Sequence, residues 1–575
     1  MHSTRATRRG LGRVAACTAV ALAAGTLLSA VPASAAGKSL PQPEVTRPKA
    51  AQPASYALVK AKPRLDFDAD GKNDMLYRYV DGSLAVLPGN DGEESEFLIA
   101  GSATPGFKDV IPVGQLGGDA RPELLTLTAS GRLSLVSGNG PAGTGAATWS
   151  GNGWSIYNKV VSPGDLTKDG RPDLLARTPS GDLYLYKGTG QLSGKPFEAR
   201  VKVGTGWHIY DQIVGTGDMD GDGLGDLVAK DVKGYLYSYK GSGVAATPYK
   251  PRLKVGAGWN MFNQVTALDD VTGDGRADIA GRTHAGKLYL YPSKGGGLFG
   301  ARSELATGME FVNLMVGQGG VPDYGKGALA YSVETSEGGD DGKTTQLFTH
   351  LALTNGEFLP AEESITTGHV DGVGFVAYAS GLDDTNTPHA LIDNDSLFNA
   401  SVPGSGTILI PGEDGVMMSG ERQLGPGDLT GDGKGDVLQV HSGVLYLFAG
   451  DGTGTRMTQT VKVGSGWSIY RGIAGSGDLT GDGRADVVAV DKSNNLFLYK
   501  GTGTAATPFA PRVQIATNWT GSLAAPGDIN GDGRADLVTA KDGVMYRVTS
   551  TGLTGTALLS APVKLAGDWP VKYLR

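Results

Sequence analysis

Asp218-Met-Asp220-Gly-Asp222-Gly-Leu-Gly-Asp226 is a nine-residue loop with carboxylates at positions 1, 3, 5 and 9 and glycine at position 6. Asp66, Asp68, Asp70 and Asp74 repeat the pattern. Five more copies keep Asp at 1, 5 and 9 but place Thr or Asn at 3. They are Asp165, Thr167, Asp169 and Asp173; Asp270, Thr272, Asp274 and Asp278; Asp428, Thr430, Asp432 and Asp436; Asp478, Thr480, Asp482 and Asp486; and Asp528, Asn530, Asp532 and Asp536. One such loop can arise by chance, but seven in register bear on both the ion and the architecture.

The loop starts set a period. Successive copies at 165, 218 and 270 lie 53 and 52 residues apart, and those at 428, 478 and 528 lie 50 apart. Gly-Trp-x-Ile-Tyr keeps the same beat at Trp154, Trp207 and Trp467, with a variant at Trp259; Trp519 and Trp569 continue it less regularly. Within residues 201–250, short apolar runs at Val201–Val203, Trp207–Tyr210, Leu227–Ala229 and Tyr235–Tyr239 read as four strands. Four strands in about 50 residues is the content of a propeller blade. The expected fold is all-β, a β-propeller of four-stranded blades. One large ring of eight or more blades is preferred, closed by Val563–Leu574 against a first blade starting near residue 56; two smaller rings are the alternative.

Side chains at positions 1, 3 and 5 turn toward one point when the loop curls, the glycine permits the bend, and Asp at 9 closes the shell. An all-oxygen site rich in carboxylates suits a hard cation of flexible coordination, which is calcium. Magnesium demands a tighter octahedron, and zinc recruits His or Cys, absent from the loops. Loops 66 and 218, with a fourth carboxylate, are expected to bind most tightly. The alternative is an Asp/Gly-rich turn that holds no ion.

Outside the repeats, residues 1–35 read as a secretory signal: Arg5, Arg8, Arg9 and Arg13, an apolar stretch to Leu28, then Ala33-Ser34-Ala35. Cys17 is the only cysteine and falls in that segment, so the expected mature chain has no disulfide, thiol nucleophile or Cys-zinc site. Loss of the four arginines takes the net charge from −8 to −12, a balance unsuited to nucleic acid or anionic membranes. No other segment is apolar enough to span a bilayer. Residues 36–62, with four prolines, read as a linker with a possible first strand.

Some copies are worn. Gln115-Leu-Gly-Gly-Asp119-Ala-Arg-Pro-Glu123 has lost the Asp at position 1 and any side chain at position 3. Across 301–424 the beat persists dimly, with Phe311 where a Trp is due and Gly381-Leu-Asp383-Asp384 as a decayed loop. That region is two degenerate blades or an insertion, and Ser336–Gly342 reads as an exposed acidic loop within it.

The loops, together with Leu183-Tyr-Leu-Tyr-Lys-Gly-Thr-Gly190 and its counterparts, resemble FG-GAP/VCBS repeats, as found in the amino-terminal propeller of integrin α chains and in bacterial secreted proteins. The resemblance covers about 63–300, as five repeats, and 425–575, as three with a closing strand. It implies calcium held by the Asp, Thr and Asn positions above and roles in adhesion or glycan recognition. The Gln115 loop and 301–424 depart from it, and the literal Phe-Gly…Gly-Ala-Pro signature is not intact.

The recurrent Trp and Tyr suit a repeated wedge between blades or a sugar-stacking platform; their fixed register favours the wedge. No Gly-x-Ser-x-Gly, His-Glu-x-x-His or phosphate loop occurs, and no catalytic residue or organic cofactor is assigned. The expectation is a secreted, non-catalytic, calcium-stabilised protein that recognises an extracellular glycan or protein. The alternatives are a hydrolase with its site in 301–424, near His350, His369 or His389, and an accessory or inhibitor subunit of a secreted assembly.

Overall fold

The computed structural model describes residues 40–48, residues 62–319 except 91, 101–106 and 120, strands and short segments between 328 and 400, and residues 422–569 except 455 and 568. The signal segment with Cys17, the start near residue 56, the loop 336–342, the pair Asp383-Asp384 and the end of the closing strand lie outside the described residues.

The chain is all-β, and among the described residues helix is confined to short 3-10 turns. The strands form a succession of antiparallel sheets with the content of propeller blades. Sheet 1 contains Met75–Tyr79, Leu84–Leu87 and Ser95–Glu96. Sheet 2 spans Phe107–Gly114 to Trp149–Gly151, sheet 3 Lys159–Gly164 to Val201–Gly204, sheet 4 Tyr210–Gly217 to Leu253–Gly256, and sheet 5 Phe262–Asp269 to Ser303–Thr307. Sheets 6 and 7 are three-stranded, Ala328–Thr335 to Ile365–Val370 and Phe375–Ala379 to Phe398–Ala400. Sheets 8, 9 and 10 run from Gln423–Gly427, Tyr470–Gly477 and Ala524–Gly527 to Met457–Ser465, Val513–Ala516 and Val563–Lys564.

Position within a sheet explains composition. Second strands such as Asp173–Arg177 and Asp226–Asp231 are buried nearly throughout, because a neighbouring sheet covers each face. Third strands such as Leu183–Tyr186 and Leu496–Tyr499 alternate buried and half-buried residues. Fourth strands such as Val201–Gly204 and Leu253–Gly256 are exposed over their first two residues and half-buried over the last two. Their Lys202 and Lys254 discourage pairing with another chain.

Val312–Met315, which follows sheet 5, pairs antiparallel with Met75–Tyr79 and supplies the fourth strand of sheet 1. Hydrophobic clusters join each sheet to the next: Leu76, Val86 and Leu314 with Val110 and Leu124; Leu125 and Leu135 with Val160 and Leu174; Val161 and Leu185 with Ile213 and Leu227; Val228 and Leu236 with Val265 and Ile279. A fifth cluster joins Ala280, Leu288 and Leu290 of sheet 5 to Tyr77, Ala85 and Met315 of sheet 1. Sheet 5 therefore packs against sheet 1 as well as sheet 4. In the second half, further clusters join sheet 8 to 9, 9 to 10, and 10 back to 6.

Several expectations need correction. The described part of the C-terminal segment packs against a sheet other than the first: Leu565 and Trp569 lie with Leu329, Ala352 and Phe358 of sheet 6 and the turn that follows it. Residues 201–250 are not one unit, because Val201–Gly204 pairs with Leu183–Tyr186 as the outer strand of sheet 3. Trp207–Ile209 is a 3-10 turn instead of a strand, entered through left-handed Gly206. Met309, fully buried, takes the place of the missing Trp, not Phe311. The start of 301–424 is neither degenerate nor inserted, since Ser303–Thr307 and Val312–Met315 complete sheets 5 and 1. The possible first strand expected within 36–62 has a counterpart in Glu44–Val45, which pairs to the edge of sheet 5.

Candidate metal loops

Six of the seven acidic loops join the first two strands of their sheet, the Asp66 loop leads into Met75–Tyr79 of sheet 1, and in all of them the residues divide the work. The position-1 carboxylate gathers the turn: Asp218 accepts from Gly221 N at 2.7 Å and Gly223 N at 2.7 Å. Asp165, Asp270, Asp428, Asp478 and Asp528 make the equivalent pair of bonds. Asp66 does so with Asp70 N and Gly71 N.

The position-9 carboxylate is the anchor. Asp226 accepts from Met219 N within the loop and from Gly241 N in the turn after the third strand, both at 2.8 Å. Asp74, Asp173, Asp278, Asp436, Asp486 and Asp536 bridge the same two turns. The position-1 carbonyl then ties neighbouring loops together. Gly225 N donates to Asp165 O at 2.7 Å, Ala277 N to Asp218 O at 2.7 Å, and Ala535 N to Asp478 O at 2.8 Å.

Carboxylates thus converge. Oxygens of Asp66, Asp68 and Asp74 lie within 4.8 Å of one another, as do those of Asp218, Asp220 and Asp222. Burial pushes Asp74 and Asp173 up to about 6 and Asp278 to about 7. Burial, and next the Asp428 charge, raises Asp436 to about 8. Asp226, Asp486 and Asp536 are driven well above the usual carboxylate range by burial, with neighbouring carboxylates adding to it. A cation among these groups would relieve both penalties.

Position 3 tests whether an ion fits. Among the described residues, Thr167 Oγ1, Asp220 Oδ1, Thr272 Oγ1 and Thr480 Oγ1 are buried without a hydrogen-bond partner, and Thr272 is only 7% exposed. Leaving such an oxygen unsatisfied costs about 1–3 kcal/mol. Four unpartnered oxygens at one motif position fit a set of ligands for a hard cation. The set is not uniform: Thr430 Oγ1 bonds to Asp428 and Asp432, and Asn530 Oδ1 accepts from Asp532 N.

The worn copies keep the frame and lose the ligands. Glu123 still accepts from Leu116 N at 2.7 Å and from Ser137 Oγ at 3.1 Å, as a position-9 anchor. Gly381 stands at position 1, and its carbonyl accepts Gly435 N at 2.7 Å, as Asp218 O accepts Ala277 N.

The same repeat is visible in related sequences. An FG-GAP-like repeat model matches residues 165–229, 428–489 and 478–539. The chain carries FG-GAP-like repeats. Among solved structures, the BP39L lectin from Burkholderia pseudomallei is matched over 80% of this chain and 100% of that chain, at 13% identity and a TM-score of 0.20; so low a score bears on neither fold nor ligand here. No curated protein matches the chain in sequence. No helix among the described residues is long and apolar enough to cross a membrane.

Outside the FG-GAP-like loops, most of the recurrent tryptophans are core, while Trp207 and Trp569 are half-buried. Trp154, Trp259 and Trp467 are 6–7% exposed and stack on Tyr186, Tyr291 and Tyr499 at 4.6–4.8 Å. His350 is buried, with Nδ1 2.9 Å from Leu359 O and its ring 4.8 Å from that of Trp569. It serves packing in the described structure; His369 and His389 lie on strands whose side chains fall outside it. Two features of the FG-GAP-like repeats escaped sequence reasoning. Position 7 is basic in six of the seven loops, and Arg276 and Arg534 there pair with the position-5 carboxylates Asp274 and Asp532 at 3.2 and 2.6 Å. In three first-half repeats the residue after the Tyr or Phe, Asn158, Asp211 or Asn263, is a polar group directed at the other half of the chain. Aligning the copies would have exposed both.

Proposed function

We propose that the protein is a secreted, calcium-stabilised pair of five-bladed propellers that recognises an extracellular glycan or protein without catalysis. The observation that carries the calcium reading is the recurrence of a buried, unpartnered position-3 oxygen in four of the loops, beside the convergence of carboxylate oxygens in the Asp66 and Asp218 loops. Positions 1, 3, 5 and 9 of the seven loops would hold the ions. Calcium supplies charge neutralisation and a fixed curl. The chain's own residues do the rest: the position-9 Asp locks the loop to the next turn, and the position-1 carbonyl passes that rigidity to the neighbouring sheet.

The propeller reading rests on the return of the sheet series to sheet 1 through Val312–Met315. Recognition is assigned to loops because a stapled scaffold presents them rigidly, and the second half, whose repeats depart most from the motif, is where individuality concentrates. Secretion rests on the basic-apolar-small pattern of residues 1–35.

The test is a glycan array and a pull-down from culture medium, each with and without calcium, alongside elemental analysis of the purified protein. Bound calcium with a calcium-dependent ligand is expected. Turnover of a polysaccharide or ester substrate would instead favour the hydrolase, and absence of bound calcium would remove the metal reading.

A further inference from the structure

The two halves meet through the backs of metal loops. Asn158 Nδ2 donates to Asp482 O at 3.0 Å, Asn263 Nδ2 to Asn530 O at 2.6 Å, and Gln264 Nε2 to Gly531 O at 2.7 Å. Asp482 is position 5 of its loop, and Asn530 and Gly531 are positions 3 and 4 of theirs. A fourth contact pairs Asp211 with Arg534, position 7, at 3.4 Å. The first half therefore contacts mostly the backbone at the apex of each curl.

Its donors are held rigidly. Arg177 Nε donates to Asn158 Oδ1 at 3.0 Å and Arg282 Nε to Asn263 Oδ1 at 2.9 Å, and both guanidinium groups are buried. The sockets recur at the repeat period, at 158, 211 and 263. The second half does not repeat them: Arg471, the equivalent residue, turns to Asn494 Oδ1 and Gly521 O of its own half. The first half's own loops lie at the other ends of the strands that begin beside these sockets.

We propose that cation occupancy of the Asp478 and Asp528 loops locks the two halves of the chain together. This rests on the calcium reading above. An ion sets the curl that presents Asp482 O, Asn530 O and Gly531 O in register with preformed amide donors. Without it, the buried carboxylates Asp528, Asp532 and Asp536 repel, the apex opens, and the donors lose their acceptors. Docking in turn favours the curled loop, so calcium affinity and docking are reciprocally linked.

The test uses the full mature chain, its dimensions measured by small-angle X-ray scattering in calcium and after chelation, with bound calcium counted in each state. The interface variant is Asn158→Asp with Asn263→Asp. It keeps the oxygen that receives each arginine, replaces the amide donor with an oxygen facing a carbonyl, and mimics the natural Asp211, so the first half should fold. A second variant, Asp270→Asn, weakens a loop remote from the interface.

Chelation is expected to enlarge the wild-type particle. The interface variant should be enlarged even in calcium and bind its weakest two ions about 5–150-fold less tightly, whereas Asp270→Asn in calcium stays compact. If calcium leaves on chelation and the dimensions do not change, the lock is wrong and the calcium reading survives. If no calcium is bound at the outset, both fall.

Discussion

Arg64 Nε lies 2.8 Å from Asp269 Oδ1, and the Arg64 backbone N–H is 2.8 Å from Asp269 Oδ2. Asp269 occupies the site at which other sheets place a left-handed glycine, such as Gly217, and it adopts φ 50° there. Arg64 Nη1 also donates to Ser162 O at 2.6 Å and Gly215 O at 3.0 Å, so one guanidinium ties the innermost strands of sheets 3, 4 and 5. Arg64→Ala strands a buried carboxylate and is expected to cost about 3–5 kcal/mol. Adding Asp269→Gly removes that charge and about 1–2 kcal/mol of left-handed strain. The double variant should therefore be more stable than Arg64→Ala alone in denaturant melts; a less stable double variant would contradict the pin.

The tryptophan turn makes a second, independent prediction. Trp259 fills the seam between sheets 4 and 5 with Val265 and Ile279. Trp259→Ala should cost about 3–5 kcal/mol while leaving any glycan affinity of the folded protein unchanged. Loss of binding with unchanged stability would restore the sugar-platform role.

Position 3 gives a prediction whose sign depends on the ion. Thr272→Val keeps the shape and deletes the orphaned oxygen. Without divalent cations the variant should be more stable than wild type by up to about 1–3 kcal/mol. In calcium the order should narrow or reverse, because a ligand has gone. A melting series with and without calcium measures both, and an equal shift in the two conditions would remove Thr272 from the ligand set.

The repeat, the strand content and the acidic-loop positions were legible in the sequence because each copy re-states them at a fixed period. What escaped was set by partners far along the chain. Val312–Met315 looks like any inner strand, and only its pairing with Met75–Tyr79 places it in sheet 1. Likewise Asn158 is one polar residue among many until Asp482, 324 residues later, accepts its amide hydrogen. The Trp-x-Ile segment misled because its apolar content suits a strand, while left-handed Gly206 turns it into a 3-10 turn.

The loop carboxylates make the last prediction, on pH. In the folded protein without divalent cations, burial raises Asp74 and Asp173 to about 6, Asp278 to about 7 and Asp436 to about 8, against 3.8 ordinarily. The folded state then binds more protons than the unfolded state between pH 3.8 and 8, so stability falls as pH rises across that interval. The contribution is complete below the unfolded value and lost as pH climbs through 6 to 8. Calcium competes with those protons for the same oxygens, so saturating calcium should remove the decline and open the gap between the two melting curves most widely near pH 8. Calcium binding near pH 7 should also release protons, seen as a dependence of the calorimetric heat on buffer ionisation enthalpy. Parallel melting profiles with and without calcium across pH 5–8 would show that the carboxylates do not share a cation.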